Sequence, residues 1–356
     1  MVIFRYLMRE IMITMIAVAA VLLLVITGSR FIRYIASAAA GELPVGLVGN
    51  LMLFHFPGFI QLILPLAFFL GFLLAYSQLY LNSEMTVLQA CGFSPARLLR
   101  IALWPGVLTA IAVGLCALWL NPAASKATAQ MLDQQKSQLD FSILTPGRFQ
   151  PIGSGRTAYI GSINREHTEM HHVFISEERA GRPTVLTRAN LGVQYTDPNT
   201  GDRYLMLRDG FRQSIAPGNK VADEMKFASY AFLLRTADTR ADFDSVTMQS
   251  SGQLWREGGD EALGELQFRL SLPLMIPVLA LLAMSLSKVN PRHGRFAKLL
   301  PAIVLHVIYL STLIAVSNAV KEGQMPAWIG VWPVHALFLL IGLWLLERTF
   351  GQRGAR

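Results

Sequence analysis

The fold follows from an uncharged run near the start of the chain, which reads IMITMIAVAAVLLLVITGS at residues 11–29. A helix of roughly 20 apolar residues spans the core of a lipid bilayer. A small-x-small sequence at residues 17–19 has the form of a signal-peptide cleavage site, but it lies in the middle of the run and not at its end. The run is therefore predicted to be a permanent membrane helix.

Five more uncharged stretches of 18 residues or more follow the first one, at residues 43–83, 101–125, 270–287, 299–320 and 323–346. The longest contains Pro44, Asn50 and Pro57, and we interpret it as an outer loop followed by one helix at about residues 56–80. The sequence thus predicts six membrane-spanning helices. Only 15% of the chain is charged, against about 25% in a typical soluble domain.

Basic residues set the predicted topology, since short cytoplasmic loops of membrane proteins are rich in Lys and Arg. One set of predicted loops carries eleven Lys and Arg residues, whereas the opposite set carries three, Arg30, Arg33 and Lys321. Both termini are therefore predicted to be cytoplasmic, with residues 126–269 on the other side of the membrane. That segment has a net charge of −1, so the overall charge of +8 reflects topology and gives no reason to propose nucleic-acid binding.

The long segment between the third and fourth spans has the texture of a β-domain. Residues 123–139 favour a helix that continues the third span. After Pro146, short β-rich runs follow at residues 157–160, 173–176, 184–187, 191–195 and 204–207. The predicted fold is a membrane α-helical protein with six transmembrane helices and an inserted extracytoplasmic all-β, jellyroll-like domain. The predicted boundaries are 1–122 for spans one to three, 123–266 for the inserted domain and 267–356 for spans four to six.

The cysteine positions exclude a disulfide framework in the inserted domain, and the histidine positions argue against a metal site. The chain has two cysteines, Cys91 and Cys116, and neither lies in the inserted domain, so a disulfide framework is excluded there. His167, Glu169 and His171 would share one face of a strand, but the outer two would stand about 13 Å apart, too far to bind one ion without ligands from elsewhere, so surface residues are the favoured interpretation. No metal site is predicted.

The segment Asn82-Ser-Glu-Met-Thr-Val-Leu-Gln-Ala-Cys-Gly-Phe-Ser94, between the second and third spans, carries the most functional information. Asn82 or Ser83 can cap a helix, and Glu84 favours the positive end of its dipole. Gly92 can end the helix. The pattern predicts a short amphipathic helix at about residues 83–92. From the residues alone, a passive interfacial helix and a helix that docks into a cytoplasmic ATPase remain equally open.

Four segments resemble the LptF/LptG permease family. Residues 83–94 are similar to the coupling-helix motif of that family, residues 5–10 to its amino-terminal signature, residues 61–71 to its second span, and residues 289–295 to the loop after its fourth span. They occur in the expected order at both ends of the chain. The Ala-Cys-Gly sequence at residues 90–92 resembles the LptF branch, whereas LptG more often has Ala-Ser-Gly. The LptG branch is kept as the alternative.

The resemblance implies a permease subunit of an ABC transporter that extracts lipopolysaccharide from the inner membrane of a Gram-negative bacterium. It implies an LptG-type permease as heterodimer partner, two LptB-type ATPase subunits, an LptC-type membrane-anchored protein and an LptA-type periplasmic bridge protein. No phosphate-loop motif occurs in this sequence, so no cofactor is expected in this chain. ATP and Mg²⁺ would be bound by the partner ATPase, and the chain is not expected to be an enzyme by itself.

The family motif also implies a set of residues that couple the permease to its ATPase. Carried over position by position, they are Glu84, Ser83, Leu88, Cys91 and Gly92. The role of Glu84 would be to fix the coupling helix against the ATPase. A first-turn glutamate that only favours the helix dipole is compatible with that role.

Arg30 and Arg33 are the predicted substrate-binding residues. They lie at the outer end of the first span, against the usual charge bias, and their spacing of three residues puts them on one helix face. Arginine is suited to bidentate contact with phosphate, which the lipopolysaccharide headgroup carries. The simpler interpretation is that both side chains snorkel to the membrane surface.

Two other classes of protein fit parts of the sequence. A lipoprotein-releasing ABC permease usually has four spans, so the predicted count of six argues against it. A membrane sensor would need a cytoplasmic output domain, and the longest predicted cytoplasmic segment has only about twenty residues. His55, His306 and His335 lie in or near spans, and the sequence gives them no role.

Overall fold

The computed structural model describes residues 2–39, 45–142, 146–151, 156–164, 169–178, 183–196, 203–215, 223–235, 245–289, 296 and 298–351. The chain forms two compact units. The first joins Met1–Thr128 with Phe243–Arg356, and the second is Ala129–Asp242. Residues 290–295, which include most of the loop that resembles the family, lie outside the described residues.

The first unit is built from helices, one of which continues into the second unit from residue 129. Their bounds are α1 Val2–Ala39, α2 Val45–Leu81, α3 Glu84–Ala90, α4 Pro95–Leu115, a π-helical turn at Cys116–Leu120, α5 Asn121–Ser142, α6 Ser251–Glu257, α7 Asp260–Leu286, α8 Leu299–Lys321 and α9 Trp332–Phe350. Six helices of the described chain are long and apolar enough to cross a membrane, the third being the continuous stretch Pro95–Leu132. This confirms the predicted six spans.

The second span begins earlier than the sequence predicts. Helix α2 starts at Val45 and runs for 37 residues, with Pro57 and Pro65 inside it, whereas an outer loop was predicted before residue 56. Proline disrupts soluble helices because it lacks a donor and clashes with the preceding turn. Membrane helices tolerate it, since neighbouring helices and small local adjustments satisfy the freed carbonyls.

Helices α2 and α7 form the centre of the helical unit. Both bury most of their apolar segment inside the chain, whereas α1, α8 and α9 leave most of their surface uncovered. The core includes Phe68, Phe72 and Tyr76 of α2 together with Leu279 of α7, all fully buried. The uncovered apolar faces are those that a membrane or another membrane protein would cover.

The second unit contains an antiparallel sheet. Its strands are β1 Phe149–Pro151, β2 Arg156–Ile163, β3 Glu169–Glu177, β4 Thr184–Thr196, β5 Arg203–Ile215 and β6 Asp223–Arg235. Neighbours in the sheet are neighbours in the chain. All five predicted β-rich runs lie in these strands, and residues 184–187 and 191–195 belong to the single strand β4. An antiparallel β-domain between the third and fourth spans is thereby confirmed.

A line of residues that are missing from the strand pairing crosses the described part of the sheet. One residue on each of five strands lies on this line, Gly161, His172, Asn190, Asp209 and Ala228, and the pairing register is the same on both sides of it. His172 and Asp209 have positive φ angles of 56° and 52°. The alternation of buried residues shifts by one there, so that β3 buries Met170 on one side of the line and Val173 and Ile175 on the other. Residues from both sides of the line therefore belong to one apolar cluster. The cluster also includes Ile160, Ala189 and Leu207 on the other strands.

Candidate functional site

The predicted coupling helix is present as α3, held between two backbone turns. Ser83 precedes it with a φ of 64°, and Gly92 follows it with a φ of 88°. The amide of Gly92 donates to the carbonyl of Gln89 at 3.1 Å, and that of Phe93 donates to Leu88 at 3.0 Å. This pair of bonds is the Schellman motif, which explains the glycine at this position. Ser83 occupies the N-cap position, but its side chain makes no capping bond there.

Glu84 is held by hydrogen bonds from other parts of the same chain. The hydroxyl of Tyr6, at the start of α1, donates to Glu84 Oε2 at 2.8 Å. The side-chain Nδ2 of Asn82 donates to Oε1 at 3.1 Å, and Nε2 of Gln78 on α2 in turn donates to Asn82 Oδ1 at 3.0 Å. The carboxylate thus links α1, α3 and the end of α2. The pairing of Tyr6 with Glu84 was not predicted from the sequence, because the two residues are 78 positions apart.

The two faces of α3 differ sharply in exposure. Met85 is fully buried, and Leu88 is partly buried against the core of the helical unit. Val87 is 60% exposed, and Cys91 is also exposed. Leu88, one of the predicted coupling residues, therefore faces its own chain. Val87, which was not among the predicted residues, stands on the face that a partner could contact.

Arg30 and Arg33 are both exposed near the far end of α1. The guanidinium carbon of Arg30 lies 5.8 Å from the ring centroid of Phe59 on α2, a cation–π contact that fixes its direction. Twenty-four residues separate Tyr6 from Arg30, or about 36 Å along a helix at 1.5 Å per residue. The predicted coupling and substrate sites thus lie at opposite ends of helix α1.

His55 lies near Phe59, the residue that Arg30 contacts, with the two ring centroids 6.3 Å apart. Its Nδ1 lies 2.8 Å from the carbonyl of Leu51, so Nδ1 carries a hydrogen and donates. Nε2 lies 3.4 Å from the hydroxyl of Tyr34 on α1. His55 therefore joins α1 to α2 near the predicted substrate site.

His306 and His335 belong to the packing of α8 and α9. His306 is buried and stacks on Phe69, with ring centroids 6.3 Å apart. His335 Nδ1 lies 2.6 Å from the hydroxyl of Tyr309, whose ring stacks on Phe338. Within the described part of the chain, no group of three His, Cys, Asp or Glu residues is arranged to hold a metal. His167 lies outside the described residues.

The basic segment after α7 makes helix-end contacts. Lys298 Nζ donates to the carbonyl of Lys288 at 2.7 Å, and Lys288 Nζ donates to the carbonyl of Thr349 at 3.0 Å. Burial, with the nearby charge of Lys288, lowers the pKa of Lys298. These contacts tie together the ends of α7, α8 and α9. Arg292 and Arg295 lie outside the described residues.

The arrangement defines a class of protein: a multi-span membrane permease subunit, in which a short helix links the second and third spans and a sheet domain is inserted between the third and fourth. A family model described as lipopolysaccharide export system permease LptF/LptG matches residues 5–348, and the chain belongs to that family. Members of this family are permease subunits of an ABC transporter. They belong to the membrane part of the lipopolysaccharide transport machinery.

Curated relatives agree with the family model. The chain is 30% identical to the lipopolysaccharide export system permease protein LptF of Escherichia coli (strain K12), over 379 aligned positions that cover all of both chains. The LptF proteins of Escherichia coli O157:H7 and of Shigella flexneri match with the same identity and coverage.

Proposed function

We propose that the chain is the LptF-type subunit of the exporter, that it takes lipopolysaccharide from the inner membrane, and that it passes the lipid to a periplasmic bridge. The outward face of α3 is the observation that supports this most directly. Its inner face is buried through Met85, while Val87 on the other face is exposed. A short helix between two spans that buries one face and exposes the other leaves the exposed face accessible to another protein.

The proposed assembly has one copy of this chain beside an LptG-type permease. Two LptB-type ATPase subunits dock on the coupling helices and bind ATP and Mg²⁺. An LptC-type membrane-anchored protein and an LptA-type bridge protein receive the lipid. The alternative, that this chain is itself an LptG subunit, is disfavoured because the curated relatives reported above are LptF proteins.

The proposed orientation puts both termini and α3 in the cytoplasm and the sheet domain in the periplasm. It rests on the distribution of Lys and Arg between the two sets of loops. In this orientation Arg30 and Arg33 lie at the outer surface of the inner membrane.

The acyl chains set the energetic demand of the proposed transport. Moving each methylene from the bilayer into water costs about 0.8 kcal/mol. The buried apolar cluster of the sheet, which includes Met170, Val173 and Leu207, would offset this cost if the strands opened to admit the acyl chains.

Affinity purification of the tagged chain in mild detergent tests the proposal. We expect a soluble ATPase, a second six-span permease and bound lipopolysaccharide to co-purify. Recovery of the chain alone across several detergents would contradict the proposal and favour a membrane sensor.

Replacing Val87 by glutamate tests the docking face. We expect the variant to fold, because the side chain is 60% exposed, and to recover about tenfold less ATPase, the effect of roughly 1.4 kcal/mol of lost binding. The measurement is the ratio of ATPase to permease after purification. Tyr195→Glu, at an exposed apolar position of the sheet domain, is the matched control. Equal ATPase recovery in both variants would show that the exposed face of α3 is not the docking surface for the ATPase.

Replacing both Arg30 and Arg33 by glutamate tests the substrate site. Reversing two charges that meet lipid phosphates should lower lipid crosslinking and lipid-stimulated ATPase activity at least tenfold, since one phosphate contact to arginine is a strong, charge-assisted bond. The double variant Arg208→Glu and Lys226→Glu, at exposed positions of the sheet, makes the same charge change. Unchanged crosslinking and ATPase activity would remove Arg30 and Arg33 from the substrate path.

A further inference from the structure

The hydrogen bond between Tyr6 and Glu84 joins the proposed coupling helix to the helix that carries Arg30 and Arg33. The phenol donates to Oε2 at 2.8 Å, and the bond lies at the exposed end of α1. A phenol beside a carboxylate is a strong donor, because the acceptor is charged. Glu84 therefore has a role inside the chain, in addition to any contact with a partner.

The carboxylate is anchored on the other side as well. Asn82 donates to Oε1, and Gln78 of α2 holds Asn82. Glu84 is the first residue of α3, so a movement of α3 pulls on its bonds to both α1 and α2. Of these two, only the bond to Tyr6 leads into helix α1.

Helix α1 is suited to carry such a movement. It is continuous from Val2 to Ala39 and contains no proline. Its buried residues, Leu7, Ile11, Met15 and Ala19, all lie in its first half, on one face at spacings of four. Residues 20–39 of α1, all described, include no buried side chain. The helix is thus packed most tightly at the Tyr6 end, whereas the end with the two arginines is held to α2 by lighter contacts, such as those of Arg30 with Phe59 and of Tyr34 with His55.

We propose that Tyr6 is a positioning residue that transmits movement of α3 to α1, so that closure of the ATPase shifts Arg30 and Arg33. This inference rests on the proposed function. It assigns Tyr6 no contact with lipid or nucleotide. The hydroxyl group acts only by keeping Glu84 and α1 together.

The test uses the complete exporter in nanodiscs with lipopolysaccharide, comparing the unaltered chain with Tyr6→Phe. The substitution removes one oxygen and keeps the ring. We expect ATPase recovery and ATP hydrolysis to stay within about twofold, while lipid delivered per ATP falls about tenfold, the loss of one hydrogen bond to a charged group. Tyr195→Phe, an exposed tyrosine of the sheet domain, is the control and should keep full delivery per ATP.

A double variant separates positioning from a general structural effect. If Tyr6 acts through Glu84, adding Tyr6→Phe to Glu84→Gln should lower delivery per ATP no further than Glu84→Gln alone. Fully additive losses would overturn the proposal, and so would unchanged delivery per ATP in Tyr6→Phe. Loss of the ATPase from the Tyr6→Phe complex would assign Tyr6 to docking and overturn the positioning role. An unaltered chain that recovers no ATPase would contradict the proposed function itself, and this inference with it.

Discussion

Replacing Arg269 by methionine is expected to destabilise the helical unit by about 3 kcal/mol, because it removes one member of a buried ion network. The side chain of Arg269 is 3% exposed, and its Nε lies 2.9 Å from Glu265 Oε1. Lys321 Nζ lies 2.7 Å from the other oxygen of Glu265. The remaining pair keeps part of the network, which places the loss at the lower end of the range for broken buried ion pairs.

Arg269 also anchors the segment through which the chain re-enters the helical unit. Its two Nη atoms donate to the carbonyls of Val246 and Gln249, each at 2.9 Å, and to that of Thr247 at 3.2 Å. Methionine would leave these carbonyls without their donor. A buried acceptor that loses its partner bears the cost of its desolvation, which adds to the loss of the ion pair.

The measurement is the melting temperature of the purified chain in detergent. A loss of about 3 kcal/mol corresponds to a fall in melting temperature of roughly 6–12 °C, given the unfolding entropy expected for a unit of this size. Arg256→Met, at an exposed position of α6, is the matched control and should stay within about 0.5 kcal/mol of the unaltered chain. Arg269→Lys should lie between the two, because lysine keeps the charge but loses the planar fork. Equal melting temperatures for the Met variants at positions 269 and 256 would show that the network does not stabilise the unit.

The sequence predicted the parts of the fold that depend on local composition. Uncharged runs identified all six spans, since span length and hydropathy are properties of one segment. The start of α2 was wrong because Pro57 reads as a boundary, although a membrane helix tolerates it. Strand β4 was predicted as two runs because Asn190 interrupts its alternation, and Asn190 is also the residue of β4 that is missing from the strand pairing.

The residues of the candidate site also differ in whether local sequence could predict them. Gly92 and Glu84 could be located because the turn and the first helical position are encoded within ten residues of sequence. Tyr6 could not, because the pairing of α1 with α3 depends on how the helices pack. Arg269 was hidden for another reason: most of its partners are backbone carbonyls, which every sequence contains. Contacts to backbone leave no signature in the residue types.

Replacing Gly71 by valine is expected to separate α1 from α2 and to prevent recovery of folded chain. A Cβ at Gly71 would lie 2.6 Å from the Cα and 2.7 Å from the backbone nitrogen of Met15. Small residues allow such close approach of membrane helices. Because the atoms in the way are backbone, no rotamer change relieves the overlap, and the cost should exceed the roughly 1–3 kcal/mol usual for overpacking.

Gly49→Val is the matched control for this substitution, since it lies on the same helix with nothing within 4 Å of the added Cβ. The measurement is the fraction of chain that elutes as a monodisperse peak in detergent, where the control should equal the unaltered chain. Adding Met15→Ala to Gly71→Val should not restore the peak, because the backbone of residue 15 remains in place. Restoration would show that the overlap involves only the methionine side chain, and the contact that sets α1 against α2 would then lie elsewhere. Since α1 also carries Tyr6 and both proposed lipid-binding arginines, a displaced α1 should cost lipid delivery even in the small fraction of Gly71→Val chain that folds.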